Sequence, residues 1–176
     1  MARDRAHPPL AGQILVAPML DPCNATASLR ESLGECVECK WAHGWQQYLR
    51  GPMDAEHPYA VPGLAQRLAG LPPALVLTGA DDPMRDEALA YAERLRGAGI
   101  AVRAHVLGID TGWPDSLAEP LTAECPCAHE AREHLRAFLQ GLDAEIGHRP
   151  KAVLVVSGHW EKEPVPTVST AAKPGM

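Results

Sequence analysis

Apolar and polar positions are most regularly arranged between Leu71 and Leu107, LPPALVLTGADDPMRDEALAYAERLRGAGIAVRAHVL. Ala74 to Leu77 is a short apolar run of the kind a buried strand needs. Pro72 and Pro73 precede it and Gly79 follows. Asp82 stands where a helix N-cap is expected, with Pro83 at the first helical position, where a missing N–H costs nothing. Asp86 and Glu87 then fall near the positive end of the helix dipole. Met84, Ala88, Tyr91 and Leu95 recur at helical spacing and make one apolar face. Arg94 and Arg96 sit in the last turn, and Gly97 or Gly99 can end the helix. Ile100, Val102, Ala104 and Val106 alternate as a second strand. The pattern predicts a βαβ unit, parallel and right-handed.

The flanking segments extend this picture. Leu10 to Leu20 predicts a first strand centred on Ile14, Leu15 and Val16 and stopped by Asp21-Pro22. Residues 22 to 60 are rich in turn formers. Within them Lys40 to Arg50 carries Trp41, Trp45, Tyr48 and Leu49 at helical spacing, which reads as core or lid packing. Ala128 to Leu142 predicts a helix with Ala131, His134, Leu135, Phe138 and Leu142 on one face. Lys151 to Ser157 predicts a further strand, ahead of a polar tail. The expected class is α/β: a small, mainly parallel sheet with flanking helices. Its strands lie near 12–17, 74–78, 101–107 and 151–157, the last pairing only loosely.

Composition narrows the function classes. The chain has 176 residues, enough for one domain with a real core. A hydrophobic content of 46% excludes disorder by composition. The net charge of −6 argues against nucleic-acid binding. No apolar run approaches the ~20 residues of a membrane span. The start, MARDRAHPPLAG, lacks the apolar stretch of a signal peptide, so the expected compartment is cytoplasmic. Cys23, Cys36, Cys39, Cys125 and Cys127 are odd in number and read as free thiols in loops rather than a disulfide framework or a zinc site.

Residues 10 to about 140 resemble the α/β-hydrolase superfamily, specifically its hormone-sensitive-lipase-like esterases. The resemblance rests on LAGQILVAPMLDP (10–22), WQQYLRGPMDAEHPYAVPG (45–63) and LPPALVLTGADDPMRDEALAYAERLRGAG (71–99). Asp-Pro-Met-Arg-Asp-Glu, residues 82–87, is similar to that family's Asp-Pro-Leu-Arg-Asp-Glu signature. The resemblance implies a carboxylic ester hydrolase acting on small-molecule esters without a cofactor. It makes Asp82 the acid of a Ser–Asp–His triad, at the carboxyl end of a parallel strand where ligands bind in α/β sheets. Other parts of the family pattern are absent from this sequence. None of Ser28, Ser32, Ser116, Ser157 and Ser169 stands in a G-x-S-x-G elbow. There is no HGGG-type oxyanion motif, and Thr111-Gly112-Trp113 occupies the place of the family's loop His-Gly-Phe. Residues 1–140 thus read as the C-terminal half of such a domain, truncated and expected to be inactive alone.

Residues 149–176 resemble a different family, the class III extradiol dioxygenases of the DOPA type. The string Val-Val-Ser-Gly-His-Trp, residues 155–160, makes His159 a ligand of iron or zinc under that resemblance. Residues 141–176 are accordingly expected to be a dioxygenase-like strand segment and a disordered tail, and the chain a fragment or a fusion. Two alternatives to the hydrolase reading follow. One is a piece of a metal-dependent ring-cleavage dioxygenase. The other is a non-catalytic module that self-associates through an exposed sheet edge.

Overall fold

The computed structural model describes residues 4, 10–23, 25–33, 40–108 and 126–146. Three strands form one parallel sheet: β1 (Gln13–Val16), β2 (Ala74–Gly79) and β3 (Val102–Leu107), in the order β1-β2-β3. Ala74 of β2 lies opposite both Gln13 and Val102, which fixes the register across the sheet. Every residue of β2 is buried. That explains its continuous apolar run, because a central parallel strand is covered on both faces.

The covering layers are two helices. α4 (Arg85–Gly97) packs on the face that carries Ala74 and Val76, through Ala88, Tyr91, Ala92 and Leu95. α5 (Pro126–Ile146) packs on the face that carries Leu75 and Leu77, through Phe138 and Leu142. The expected apolar faces of both helices are the ones that are buried. Among the described residues, the connection from β1 to β2 carries three short α-helices, α1 (Ala27–Leu33), α2 (Lys40–Tyr48) and α3 (Pro52–Ala55), and a 3-10 turn at Pro62–Leu64.

The end of α4 follows from Gly99. Its φ of 81° is the left-handed conformation that glycine adopts without penalty. The Gly99 N–H donates to the Arg96 carbonyl at 2.9 Å and the Ile100 N–H to the Leu95 carbonyl at 3.1 Å. This is a Schellman motif, and Ile100 packs back on the cluster that contains Leu95. Of the two expected helix stops, Gly99 makes the turn and Gly97 is the last helical residue.

Four expectations are corrected or displaced. α4 begins at Arg85, with Met84 as its N-cap, so Asp82 and Pro83 belong to the preceding turn. α1 lies in a stretch read as irregular; its entry is held by contacts to α4 rather than by a local pattern. Cys127, read as a free thiol in a loop, is buried within α5 and disulfide-bonded, whereas Cys23 is free. α5 extends beyond the expected 128–142 at both ends. The fourth strand, expected at 151–157, lies outside the described residues.

Candidate active site at the carboxyl ends of the strands

β2 ends at Gly79, and the chain turns through Ala80 to Met84 before entering α4. Asp82 sits in this turn and is 8% exposed. The Thr78 hydroxyl donates to its Oδ2 at 2.8 Å, and the Met84 N–H donates to its Oδ1 at 2.8 Å. The Asp82 N–H bonds the Gly79 carbonyl at 3.3 Å, and its own carbonyl accepts the Arg85 N–H at 3.0 Å. The carboxylate is therefore held at both oxygens and at both flanking peptide groups. Each oxygen keeps a lone pair, so the group can accept one further donor without rearranging.

The remainder of the 82–87 signature ties the turn to its surroundings. Arg85 donates to the Ala80 carbonyl at 2.6 Å and pairs with Asp86 at 3.1 Å and Glu31 at 3.4 Å. Asp86 accepts the Ser28 N–H at 2.8 Å and so caps the start of α1 from another element. The Ser28 hydroxyl donates to the Pro83 carbonyl at 2.8 Å and accepts the Asp86 N–H at 3.1 Å. The Ser28 N–H, partly opposed by burial, holds the Asp86 carboxyl below its ordinary pKa. Glu87 is buried and accepts the Leu20 N–H at 2.6 Å. Burial pushes its pKa up to about 7, with the Leu20 N–H opposing.

Further features lie around the sheet. Ala17, just past β1, has φ 44°, a conformation that costs a non-glycine residue energy and often marks a functional edge. Its N–H donates to the Leu77 carbonyl at 2.8 Å. Arg94 of α4 donates to the carbonyls of Gly63 and Ala65. A Cβ on Gly63 would collide with the Leu20 carbonyl, so glycine permits the close approach of these two loops. Beside them Met19, Trp45, Tyr48, Tyr59, Ala60 and Pro62 line an open groove of about 340 Å³. Trp45 and Tyr48 meet edge to face, 5.8 Å apart. Of the α2 aromatics, Trp45 is buried as expected for packing, while Tyr48 is exposed.

The expected acid and the described histidines of β3 and α5 are distributed as follows. Asp82 is at the carboxyl end of β2. His105 and His134 lie on the opposite side of β3 from α4, stacked between β3 and α5. His129 is exposed and pairs with Glu133 at 3.3 Å. Among the described residues no histidine hydrogen-bonds Asp82. Thr111-Gly112-Trp113 and His159 lie outside the described residues. Among the described residues no three His, Cys, Asp or Glu side chains are grouped to hold a metal. No described helix is long and apolar enough to cross a membrane.

The sequence pattern does not mark Thr78, Ser28 or Glu87 as buried partners around this turn. Thr78 carried a signal, as the one hydroxyl in an otherwise apolar strand, four residues before Asp82. Glu87 also carried one, since it lies three residues after Met84 and four before Tyr91, on the buried stripe of α4. Ser28 carried none.

Residues 1–108 match the model of the α/β hydrolase fold family. The chain is 34% identical over 107 residues to the esterase LipI of Mycobacterium tuberculosis, covering 59% of this chain and 33% of that protein. It is 33% identical over 107 residues to an ethyl acetate hydrolase of Pseudomonas putida, covering 60% of this chain and 33% of that protein. It thus spans about a third of the length of these relatives. Among solved structures, a bacterial heroin esterase superposes with a TM-score of 0.62 at 33% identity, over 80% of this chain and 45% of that one. A thermostable esterase from Pseudomonas putida gives 0.64 at 32% identity, over 76% and 43%. With a parallel sheet covered on both faces and an acidic turn at the carboxyl end of its central strand, the chain belongs to the α/β-hydrolase-fold family, in its esterase-like branch.

Proposed function

We propose that this chain is the acid-bearing part of a carboxylic ester hydrolase, and that Asp82 is the triad acid that orients a histidine. The observation that carries this reading is the fixed Asp82 carboxylate, held at both oxygens and at the carboxyl end of the central strand. A helix cap alone would need only one of those oxygens; the Met84 N–H takes Oδ1, and a buried hydroxyl immobilises the other. A carboxylate so held can keep an imidazole in one tautomer and stabilise its cation. The groove lined by Met19, Trp45 and Tyr59 is apolar enough to receive the alkyl or aryl part of an ester. The names of the relatives, an ethyl acetate hydrolase among them, point to the same substrate class.

The nucleophile and oxyanion elements of the reaction are not in this sequence, so the chain alone is expected to be inactive. Purified chain mixed with a short-chain nitrophenyl ester should release nitrophenol no faster than buffer. Robust turnover that disappears in Asp82→Asn would show that the 176 residues contain a complete site.

One observation favours a second reading, association through the sheet. Among the described residues β1 and β3 each pair with β2 alone, and Val16 and Val106 on these edge strands are exposed. Unpaired edges of this kind invite another strand. Size-exclusion chromatography coupled to light scattering is expected to show dimers or larger species that grow with concentration. A clean monomer across a hundredfold range of concentration would remove this reading.

A further inference from the structure

The face of β3 that α5 covers is charged. Arg103 donates to the Ala137 carbonyl at 3.1 Å and lies 5.9 Å from the centre of the Phe138 ring. Two residues on, His105 stacks against His134 of α5, with ring centres 3.8 Å apart and planes 21° from parallel. Glu130, one turn earlier on α5, places Oε1 3.9 Å from His134 Nε2. The same oxygen accepts the Gly108 N–H at 3.3 Å, just past the end of β3. Glu130 Oε2 is buried and makes no hydrogen bond. His129 and Glu133 pair with each other at the exposed rim, and Arg132 and Arg136 occupy exposed positions. β2 contributes only apolar side chains, Leu75 and Leu77, to the α5 side.

We propose that the His105–His134 stack is an acid-sensitive latch: α5 stays on the sheet while the two rings share at most one proton, and it leaves β3 when both are protonated. Two neutral imidazoles, or one neutral and one charged, stack without repulsion. Two imidazolium ions at this separation repel strongly in a partly buried setting. Arg103 adds a third positive charge on the same face. Glu130 lies beside His134 and its charge also acts on His105. Burial, followed by the charges of His134 and Arg103 and opposed by Glu130, holds the His105 pKa below its ordinary value. Release would uncover Phe138 and Leu142 together with Leu75 and Leu77, so acid would expose an apolar face.

Amide hydrogen exchange of the intact chain, followed by mass spectrometry and corrected for intrinsic rates, tests this directly. Between pH 7.5 and pH 5, peptides from α5 should lose protection on the order of tenfold relative to peptides from α4. Equal loss in α4 and α5, or none in α5, would overturn the latch. In the double variant His105→Phe, His134→Phe the rings still stack but cannot charge, and α5 protection should become independent of pH. Persistence of the native pH dependence in that variant would also overturn it. Should the double variant fail to fold, Glu130→Gln decides the matter. Its amide still accepts the Gly108 N–H but offsets no positive charge, so the release midpoint must move to higher pH. An unchanged or lower midpoint rejects the proposal.

Discussion

Asp82→Asn should lower kcat on the order of 10⁴-fold when residues 71–99 stand in place of the matching stretch of a full-length esterase relative. The graft supplies the strand, acidic turn and helix of this chain. The recipient supplies its own serine, oxyanion donors and histidine. Asparagine has the size and shape of aspartate, and the geometry around position 82 tolerates it. Its carbonyl can take the Met84 N–H that now bonds Oδ1. Its amide can donate to the Thr78 hydroxyl, which is free to rotate and accept. The thermal midpoint of the grafted enzyme should therefore change little while turnover collapses. The cap-only reading predicts the same small change in stability but full activity. Steady-state kinetics and thermal melts on the same two preparations separate the two, and an Asn variant with undiminished kcat would strip Asp82 of its assigned role.

The contrast between what sequence patterns revealed and what they hid runs along a physical line. The three described strands, α4 and α5 are stabilised by apolar stripes whose spacing is written locally. Ala74 to Leu77 and the Met84–Leu95 face are legible because burial acts on consecutive or regularly spaced residues. The stop at Gly99 is legible for the same reason, since a left-handed turn asks for glycine at one position. α1 was not legible. Its first turn is secured by Asp86 and Pro83, more than fifty residues away in the chain, and no local spacing encodes that. The start of α4 was misplaced by a related effect. Asp82 does cap a backbone N–H, but the turn that closes over it includes Thr78 behind and Met84 ahead, so the helix begins after the motif's first three residues. Asp82 itself was identified through its resemblance to a family signature, and the structure adds the reason such a signature is useful. Residues 82–87 join β2 to α1, to the loop after β1 and to α4, with a different hydrogen bond for each polar side chain.

Glu87 provides the second large effect, and its sign is set by burial. The side chain is 8% exposed, and burial together with the nearby carboxylates of Asp21 and Asp82 raises its pKa from 4.5 to about 7. The N–H groups of Leu20 and Asp21 pull the other way without prevailing. A carboxyl with a higher pKa in the folded chain binds its proton more tightly there than in the unfolded chain. The stability this confers is complete below the unfolded value of 4.5 and is lost as pH rises from there through about 7. At about 1.4 kcal/mol per pH unit, the loss across that interval is on the order of 3 kcal/mol. Glu87→Gln removes the titration and keeps an oxygen to accept the Leu20 N–H. Urea unfolding should therefore find the variant and the native chain nearly equal at pH 4.5. The variant should then become progressively more stable, by on the order of 3 kcal/mol at pH 8. Taking the difference between the two proteins cancels other titrations. Asp86, whose pKa is lowered, loses its contribution only at still lower pH, and His105, also lowered, destabilises the native state as pH falls through the histidine range. Both act in the direction opposite to Glu87 and are common to the two chains. A stability difference that stays constant from pH 4.5 to 8 would mean that Glu87 titrates as an ordinary surface carboxylate. The buried staple between α4 and the loop after β1 would then be held by the Leu20 bond without any charge penalty.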